Sequence, residues 1–309
     1  MTFEAPPSWH GDSTDPNDEQ FGDVISHVSL DSADEYDAVI VGEPYDGAVI
    51  GRPGAHGGPS ALRAELATTK TYHFSGREIQ SVADLGDVAL PEGTVSQVQH
   101  AAYDATSAVY DTGVVPVFLG GDNSLTVPNV SPLVDRGSVG VISFDAHLDC
   151  REVGDEPTSG TPYRQLFESG LAEFAVVGAR HFETAGPYAE FVEEKGGTIV
   201  TASEVGTEGV TVIDRILDDM AHVDSVYLSV DLDVLDTTAA PGVSAPTPGG
   251  LTTRELFELV HRAAEDHRVA GFEVVEYSPP LDIDKRTAHA GARAVAHFLA
   301  GLHGEVRYV

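Results

Sequence analysis

The chain has 309 residues, which is long enough for one large α/β domain with a buried core. Its 50 Asp and Glu against 17 Lys and Arg give a formal net charge of −33, which excludes binding to nucleic acid or to anionic membranes through a basic surface. No stretch is apolar for long enough to span a bilayer. The N-terminus lacks the features of a signal peptide and Cys150 is the single cysteine, so we expect a cytoplasmic protein.

The acidic residues are spread along the whole chain and are not gathered in one tail. This distribution is typical of a solvated acidic surface. We hypothesise that the surface is a halophilic adaptation to high intracellular salt, because salt screens the repulsion between like charges.

The predicted elements begin with an N-terminal arm or cap over residues 1–36. This segment is polar and acidic, contains Pro6, Pro7 and Pro16, and shows no clear periodicity, so we expect little regular structure in it. From residue 37 onwards, short apolar runs alternate with amphipathic segments, and neither an internal repeat nor a linker interrupts them. We therefore predict a single domain over residues 37–309.

The apolar runs are rich in β-branched residues and apolar on both faces, as expected of strands buried in a parallel sheet. They cover residues 38–41, 114–119, 139–144, 174–177, 226–230 and 269–275. Helix candidates lie between them, including residues 95–109 with apolar positions at helical spacing, and a helix that opens at a capping box of Thr252 and Glu255. This alternation predicts a three-layer α/β/α fold with a mainly parallel sheet and an active site beyond the carboxyl ends of its strands.

The strongest chemical signal follows the predicted strand 139–144, where residues 145–149 read Asp-Ala-His-Leu-Asp. Side chains two positions apart in an extended segment point the same way, so Asp145 and His147 leave the strand end together, and Asp149 follows on the loop. Three ligand-type residues at this edge of a sheet are typical of a metal site. Solvated acids at a strand end are the alternative.

A second acidic pair, Asp231 and Asp233, follows the predicted strand 226–230. Two like charges at a buried strand end repel each other, and residues 226–236 contain no Lys or Arg, so a divalent cation is the simplest compensation. Two strands that each deliver paired ligands predict two metal ions, about 3.5–4 Å apart, that activate water. Carboxylates with one imidazole favour Mn²⁺ over structural Zn²⁺.

Two further strand ends carry candidate polar groups. Residues 120–124 read Gly-Gly-Asp-Asn-Ser, in which Asn123 either gives an amide oxygen to a metal or hydrogen-bonds a ligand. A glycine turn followed by a helix N-cap is the structural alternative. Glu276 follows the run 269–275, and its carboxylate matches the geometry of an amidinium or guanidinium group. An exposed glutamate at a strand end is the alternative there.

Together these segments resemble the ureohydrolase family of arginases, agmatinases and formimidoylglutamases, from about residue 37 to residue 302. The matching segments are residues 120–124 with Gly-Gly-Asp-His-Ser, 145–149 with Asp-Ala-His-x-Asp, 229–236 with Ser-x-Asp-x-Asp-x-x-Asp, and 275–279 with Val-Glu-x-x-Pro. The resemblance implies an arginase-like catalytic domain with a sheet of about eight strands, a homo-oligomer (trimer or hexamer), and two Mn²⁺ per subunit.

The resemblance also implies which residues hold the metals. Asp145 and Asp231 would bridge the two ions, His147 and Asp233 would hold one of them, and Asp149 would hold the other. Asn123 occupies the position of the first ligand, which is a histidine in most of the family. The ion beside it is therefore expected to bind more weakly or to take the amide oxygen.

A second departure from the family concerns residues 158–163. Agmatinases have a proton-shuttling histidine before Gly-Thr-Pro, whereas this chain has Ser159, which carries no proton charge at neutral pH. Both departures resemble the formimidoylglutamase branch, which hydrolyses N-formimidoyl-L-glutamate to L-glutamate and formamide in histidine degradation. An agmatinase or guanidinobutyrase-type enzyme that releases urea, and a non-catalytic metal-binding homologue, are the alternatives.

In this interpretation Glu276 holds the amidine nitrogens of the small-molecule substrate, and Asp149 relays a proton to the leaving amine. The two substrate carboxylates require positive charge in an acidic protein. The candidates are Arg52, Arg151, Arg164 and Arg180. We favour Arg164 and Arg180, which adjoin the motif loops, with Ser159 also at the substrate.

Most histidines of the chain carry no ligand spacing, and we interpret most of them as ordinary surface or core residues. His73, His261 and His297 belong to this group.

Overall fold

The structure is a computed structural model that describes residues 3–74 and 79–304, and it is built around one ten-stranded sheet. The strands are β1 (Phe3–Glu4), β2 (Ser26–His27), β3 (Ala38–Glu43), β4 (Val82–Val88), β5 (Val115–Gly120), β6 (Val139–Phe144), β7 (Glu173–Ala179), β8 (Thr198–Thr201), β9 (Ser225–Asp231) and β10 (Val269–Val275). Their order is β1-β4-β3-β5-β10-β9-β6-β7-β8, and β2 also pairs with β4. Every pairing is parallel except that of β1 with β4.

The eight strands β3–β10 form the predicted parallel sheet, and the N-terminal segment adds the two short strands β1 and β2 at its edge. This segment was expected to have little regular structure. An edge strand exposes unpaired backbone groups, and pairing with β4 satisfies them. The segment also buries Trp9, whose Nε1–H donates to Asp84 Oδ2 at 2.8 Å. Residues 1, 2 and 305–309 of the predicted arm and domain lie outside the described residues.

The strands are buried on both faces because their side chains alternate between two apolar layers. Ile40, Ile142 and Leu228 pack in one cluster, whereas Val39 and Val41 pack in the other. The continuous apolar runs of the sequence therefore reflect a sheet that is covered on both sides.

Helices cover both faces of the sheet, which confirms the predicted three-layer architecture. They are α1 (Phe21–Val24), α2 (Gly58–Ala67), α3 (Val95–Tyr110), α4 (Thr126–Val134), α5 (Pro162–Ser169), α6 (Gly186–Glu194), α7 (Ala202–Glu208), α8 (Thr211–Asp219), α9 (Thr253–Ala264) and α10 (Arg286–Gly304). Apolar side chains of α2, α8, α9 and α10 belong to the first cluster, and those of α3, α4, α5 and α6 belong to the second. At the start of α9, Glu255 N–H donates to Thr252 Oγ1 at 3.2 Å, which confirms the predicted capping box.

The topology brings the chemical motifs together. Strands β5, β10, β9 and β6 are consecutive in the sheet and parallel, so their carboxyl ends lie along one edge. The segments that follow these four strands are those that carry the predicted site residues. Within the described residues, every helix is too short or too polar to cross a membrane.

Candidate metal centre

Side chains that follow β6 and β9 converge at the carboxyl edge of the sheet. The backbone N–H of Asp145 donates to the carbonyl of Val177 at 3.1 Å, which continues the pairing of β6 with β7 beyond the strand end. The N–H of His147 donates to Asp145 Oδ1 at 2.7 Å, and His147 Nδ1 lies 3.1 Å from Asp233 Oδ2. The turn therefore directs Asp145, His147 and Asp233 toward one point.

A short 3₁₀ turn fixes the second acidic pair. Asp231 ends β9, and its Oδ1 accepts the N–H of Asp233 at 2.8 Å, so both carboxylates lie on the same side of the turn. Asp233 Oδ1 also accepts the N–H of Ala146 at 3.3 Å, which joins the β9 turn to the β6 turn. Backbone donors thus hold the acids in position.

Two sets of three ligand atoms result from this arrangement. Asp145, His147 and Asp233 form one set, and Asp145, Asp149 and Asp231 form the other; within each set the ligand atoms lie within 4.8 Å of one another. Asp145 belongs to both sets, and its Oδ2 is buried without a hydrogen-bond partner among the described residues. Oxygen-rich ligands with one imidazole fit Mn²⁺, so the residues present fit a dinuclear centre.

The electrostatics of these acids favour a bound cation. Burial and the nearby Asp233 raise the pKa of Asp145 to about 6. Burial also raises the pKa of Asp149 and of Asp231 well above the usual range, with a further contribution from neighbouring carboxylates. Burial lowers the pKa of His147, but Asp233 and Asp145 reverse this effect and raise it. The cluster therefore stabilises added positive charge.

Asn123 lies beside the acids, but its side chain already has partners on both ends. Its Nδ2 donates to Asp149 Oδ2 at 2.6 Å, and its Oδ1 accepts the hydroxyl hydrogen of Thr126 at 2.6 Å. The amide thus orients Asp149. Ligation of a metal by the Asn123 oxygen stays a prediction, and it would use the lone pair of this oxygen that does not accept from Thr126.

Glu276 lies at the end of β10 in a strained backbone conformation, with a φ of 66°. Its N–H donates to the carbonyl of Gly121 at 2.8 Å, and its Oε1 accepts the N–H of Asn123 at 2.9 Å. Its Oε2 is buried without a hydrogen-bond partner among the described residues. Burial, with the nearby Asp122, raises the pKa of Glu276 to about 8. Glu276 is thus buried, and not the exposed strand-end residue of the alternative interpretation.

A cavity of about 110 Å³ lies over the acids and Glu276. Ser159 lines it, and its Oγ accepts the N–H of Ile50 at 3.2 Å. Arg151 also lines the cavity, and its side chain is exposed. Arg151 is therefore the arginine that the structure brings to the cavity.

The two arginines that we favoured from the sequence have other partners. Arg180 is buried and donates to the carbonyl oxygens of Asp233 and Leu235, so its guanidinium supports the β9 turn from behind. Arg164 stacks on the ring of Phe191, with its Cζ 3.4 Å from the ring centroid. Both are described residues, and neither lines the cavity. The structure thus favours Arg151 at the cavity, and substrate binding by Arg164 or Arg180 stays a prediction.

Residues that the sequence did not single out also reach the site. Ser244 lines the cavity beside Glu276, and Glu183 Oε2 lies 3.7 Å from His147 Nε2. Each is an isolated polar residue in a loop, so no local pattern distinguishes it from an ordinary loop residue.

The fold and the paired carboxylate sets define the class: an α/β protein with a candidate dinuclear metal centre at the carboxyl edge of a parallel sheet. The sequence profile described as the arginase family matches residues 36–301. The chain therefore belongs to the arginase family.

Three individual proteins illustrate what this chain is similar to within the family. A formimidoylglutamase of Halobacterium salinarum is 57% identical over 304 residues, which cover 97% of this chain and 99% of that protein. The crystal structure of formimidoylglutamase from Bacillus subtilis matches with a TM-score of 0.87 at 29% identity and covers 95% of this chain and 94% of that chain. A Trypanosoma cruzi formiminoglutamase crystallised with Mn²⁺ matches with a TM-score of 0.81 at 26% identity, over 90% and 99% of the two chains.

Proposed function

We propose that this chain is a Mn²⁺-dependent formimidoylglutamase, which hydrolyses N-formimidoyl-L-glutamate to L-glutamate and formamide in histidine degradation. The observation that carries the proposal is the unpartnered Glu276 Oε2 beside two carboxylate sets that share Asp145. This arrangement suits an amidine carbon held next to activated water. The identity of 57% with a formimidoylglutamase over nearly the full length of both chains supports the same substrate.

The proposed metal ligands are Asp145, His147, Asp149, Asp231 and Asp233, with Asn123 next to the second set. When bound, two Mn²⁺ ions would supply a water molecule activated for attack on the formimino carbon. The number of ions per subunit, two, is part of the proposal.

Glu276 is proposed to bind the amidinium end of the substrate. The N–H of Asn123 fixes Glu276 Oε1, whereas Oε2 has no partner among the described residues. Oε2 can therefore bind a cationic nitrogen of the substrate. Since burial raises the pKa of Glu276 to about 8, the approach of a cation favours its ionised form. The side chain thereby orients the formimino carbon toward the carboxylate sets.

Asp149 is proposed to accept a proton from the attacking water molecule and to return it to the leaving amino nitrogen of glutamate when the C–N bond breaks. Asp149 lines the same cavity as Glu276, which puts its carboxyl group within reach of a substrate bound by Glu276. The amide of Asn123 binds its Oδ2 at 2.6 Å and so fixes the carboxyl group. Its backbone φ of 41° is a second strained conformation at the site.

Arg151 and Ser159 are proposed to bind the substrate carboxylates, because both line the cavity and Arg151 brings a cation to it. Replacing Arg151 with Met should lower kcat/KM by about 10–100-fold, mainly through KM, since a charged hydrogen bond is worth about 1.5–3 kcal/mol. The matched control is Arg164→Met, which changes the same side chain outside the cavity. Equal losses in both variants would contradict the assignment to Arg151.

The experiment that tests the reaction compares N-formimidoyl-L-glutamate, arginine, agmatine and guanidinobutyrate as substrates of the Mn²⁺-loaded protein in high salt. We expect formamide and glutamate from the first compound and negligible urea from the others. Urea as the main product would assign the chain to the guanidino-hydrolysing relatives. No turnover of any of them would favour a non-catalytic metal-binding protein.

The proposal includes a cytoplasmic location and a halophilic surface. The lone Cys150 is buried, which suits a reducing compartment, and the net charge of −33 suits high salt. A homo-oligomer, trimer or hexamer, stays a prediction from the family resemblance.

A further inference from the structure

Three histidines from distant parts of the sequence come together outside the candidate metal centre. His73 follows α2, His261 lies in α9 and His297 lies in α10. One ring nitrogen of each lies within 4.8 Å of those of the other two. The ring centroids of His73 and His261 are 4.7 Å apart, and those of His73 and His297 are 5.1 Å apart. All three side chains are partly buried, so the cluster is a built feature of the helical layer.

The two helical histidines are held in fixed orientations. His261 Nδ1 donates to the carbonyl oxygen of His297 at 3.2 Å, and His261 Nε2 lies 3.8 Å from Glu265 Oε1. Such a bond to a backbone carbonyl is the usual way in which a metal-binding histidine is oriented. His297 stacks on Phe257, with a centroid distance of 4.8 Å and an interplanar angle of 13°. Both rings thus have limited freedom to turn away from the cluster.

The cluster borders open space. His73 and His297 line a cavity of about 360 Å³, which leaves room for a water molecule or an external ligand beside the imidazoles.

We propose that His73, His261 and His297 form a second metal site, distinct from the carboxylate centre, that binds one Zn²⁺ through three imidazole nitrogens. Imidazole ligands suit Zn²⁺, whereas oxygen-rich sites suit Mn²⁺, so the two sites select different ions. Zinc–nitrogen bonds of about 2.0–2.1 Å in a tetrahedron put the nitrogens about 3.4 Å apart, so the rings must approach by at most about 1.4 Å. A water molecule in the cavity completes the tetrahedron.

The ion would connect three separate segments of the chain. The segment that carries His73 also holds the N-terminal segment, because Gln20 forms a β-bridge with Lys70 and Phe21 N–H donates to the carbonyl of Thr69 at 2.9 Å. A bound ion would therefore fix this segment against α9 and α10. Since the site exists only in the folded chain, Zn²⁺ should raise the unfolding midpoint.

The experiment titrates Zn²⁺ into the full-length protein already loaded with Mn²⁺, and it counts both metals after removal of free ions. We expect one Zn²⁺ per chain with Mn²⁺ retained. The His73→Gln variant should bind this ion more than about tenfold more weakly, since loss of even an outer-shell partner costs 10–100-fold. His267→Gln, which replaces an exposed histidine outside the cluster, is the matched control and should bind as the wild type does.

Substitution by Co²⁺ gives a second readout, because tetrahedral Co²⁺ has strong visible absorption bands. Wild type and His267→Gln should show these bands, whereas His73→Gln and His297→Gln should not. Two results would overturn the proposal. One is that Zn²⁺ only displaces Mn²⁺, and the other is that His73→Gln binds Zn²⁺ as tightly as the wild type does. Metal content and absorption are measured without turnover, so the outcome does not depend on the proposed hydrolase function.

Discussion

Two regions of the molecule bury carboxylates in the sheet, and the charge of the two groups is balanced differently. In β4, Asp84 accepts two hydrogen bonds from Arg63, from Nε at 2.8 Å and from Nη2 at 3.0 Å, and one from Trp9 Nε1 at 2.8 Å. Asp87 pairs with the same guanidinium. The cation that compensates buried Asp84 and partly exposed Asp87 is thus part of the chain.

At the carboxyl edge of β6 and β9, the described residues compensate the negative charge of the buried acids only in part. Among the described residues, the cationic side chain that pairs with Asp145 and Asp233 is His147, and Asp145 keeps an unpartnered buried oxygen. Arg180 lies close, but it donates to backbone carbonyls behind the turn. The difference indicates that β4 has a structural ion pair, whereas the second region is built to receive a cation from outside.

Among the variants that test this comparison, Asp231→Ala is expected to have the largest effect. Loss of a carboxylate of the second ligand set removes several kcal/mol of transition-state stabilisation, so we expect kcat/KM for N-formimidoyl-L-glutamate to fall by at least about 1000-fold. Metal content should fall in parallel. Without metal, the variant should be at least as stable as the wild type, because a repulsive charge is gone. The exposed Asp218→Ala is the control, and full turnover by Asp231→Ala would refute the metal assignment.

Arg63→Met tests whether the buried acid of β4 depends on the arginine of the chain. It leaves Asp84 buried without its cation, so we expect a loss of about 3–5 kcal/mol in the free energy of unfolding, measured in urea. The kcat/KM of the folded fraction should stay near the wild-type value. A second substitution, Asp84→Asn, should restore part of the stability of the Arg63→Met variant. An unchanged urea midpoint in Arg63→Met would show that the ion pair is not needed.

The smallest effect concerns the surface acids, most of which have no basic partner because the chain has 50 Asp and Glu against 17 Lys and Arg. Raising the salt from 0.1 to 1 M shortens the screening length from about 10 to about 3 Å, so the urea midpoint should rise by the equivalent of about 1 kcal/mol. The buried pair of Arg63 and Asp84 is screened much less, so Arg63→Met should show a similar salt dependence. Greatest stability in dilute buffer would contradict the proposed adaptation to salt.

Most of the sheet could be predicted from the sequence, because strands buried on both faces are continuous apolar runs. The predicted runs 139–144 and 269–275 coincide with β6 and β10. Strand β4 was not among the predicted runs, since Asp84, Gly86 and Asp87 interrupt its apolar pattern. The burial of Asp84 depends on Arg63 and Trp9, which are distant in the sequence. Strand β8 was also missed, because it is a four-residue edge strand that begins and ends with threonine.

The sequence by itself determined six of the eight parallel strands and the acidic segments that follow β6 and β9, because these patterns lie within a few consecutive residues. Only the tertiary structure decided which arginine reaches the cavity, where the amide of Asn123 points, and that His73, His261 and His297 meet. The physical reason is that each of these relations joins residues far apart in the chain. Helix packing and side-chain direction set such contacts, and no local pattern records them.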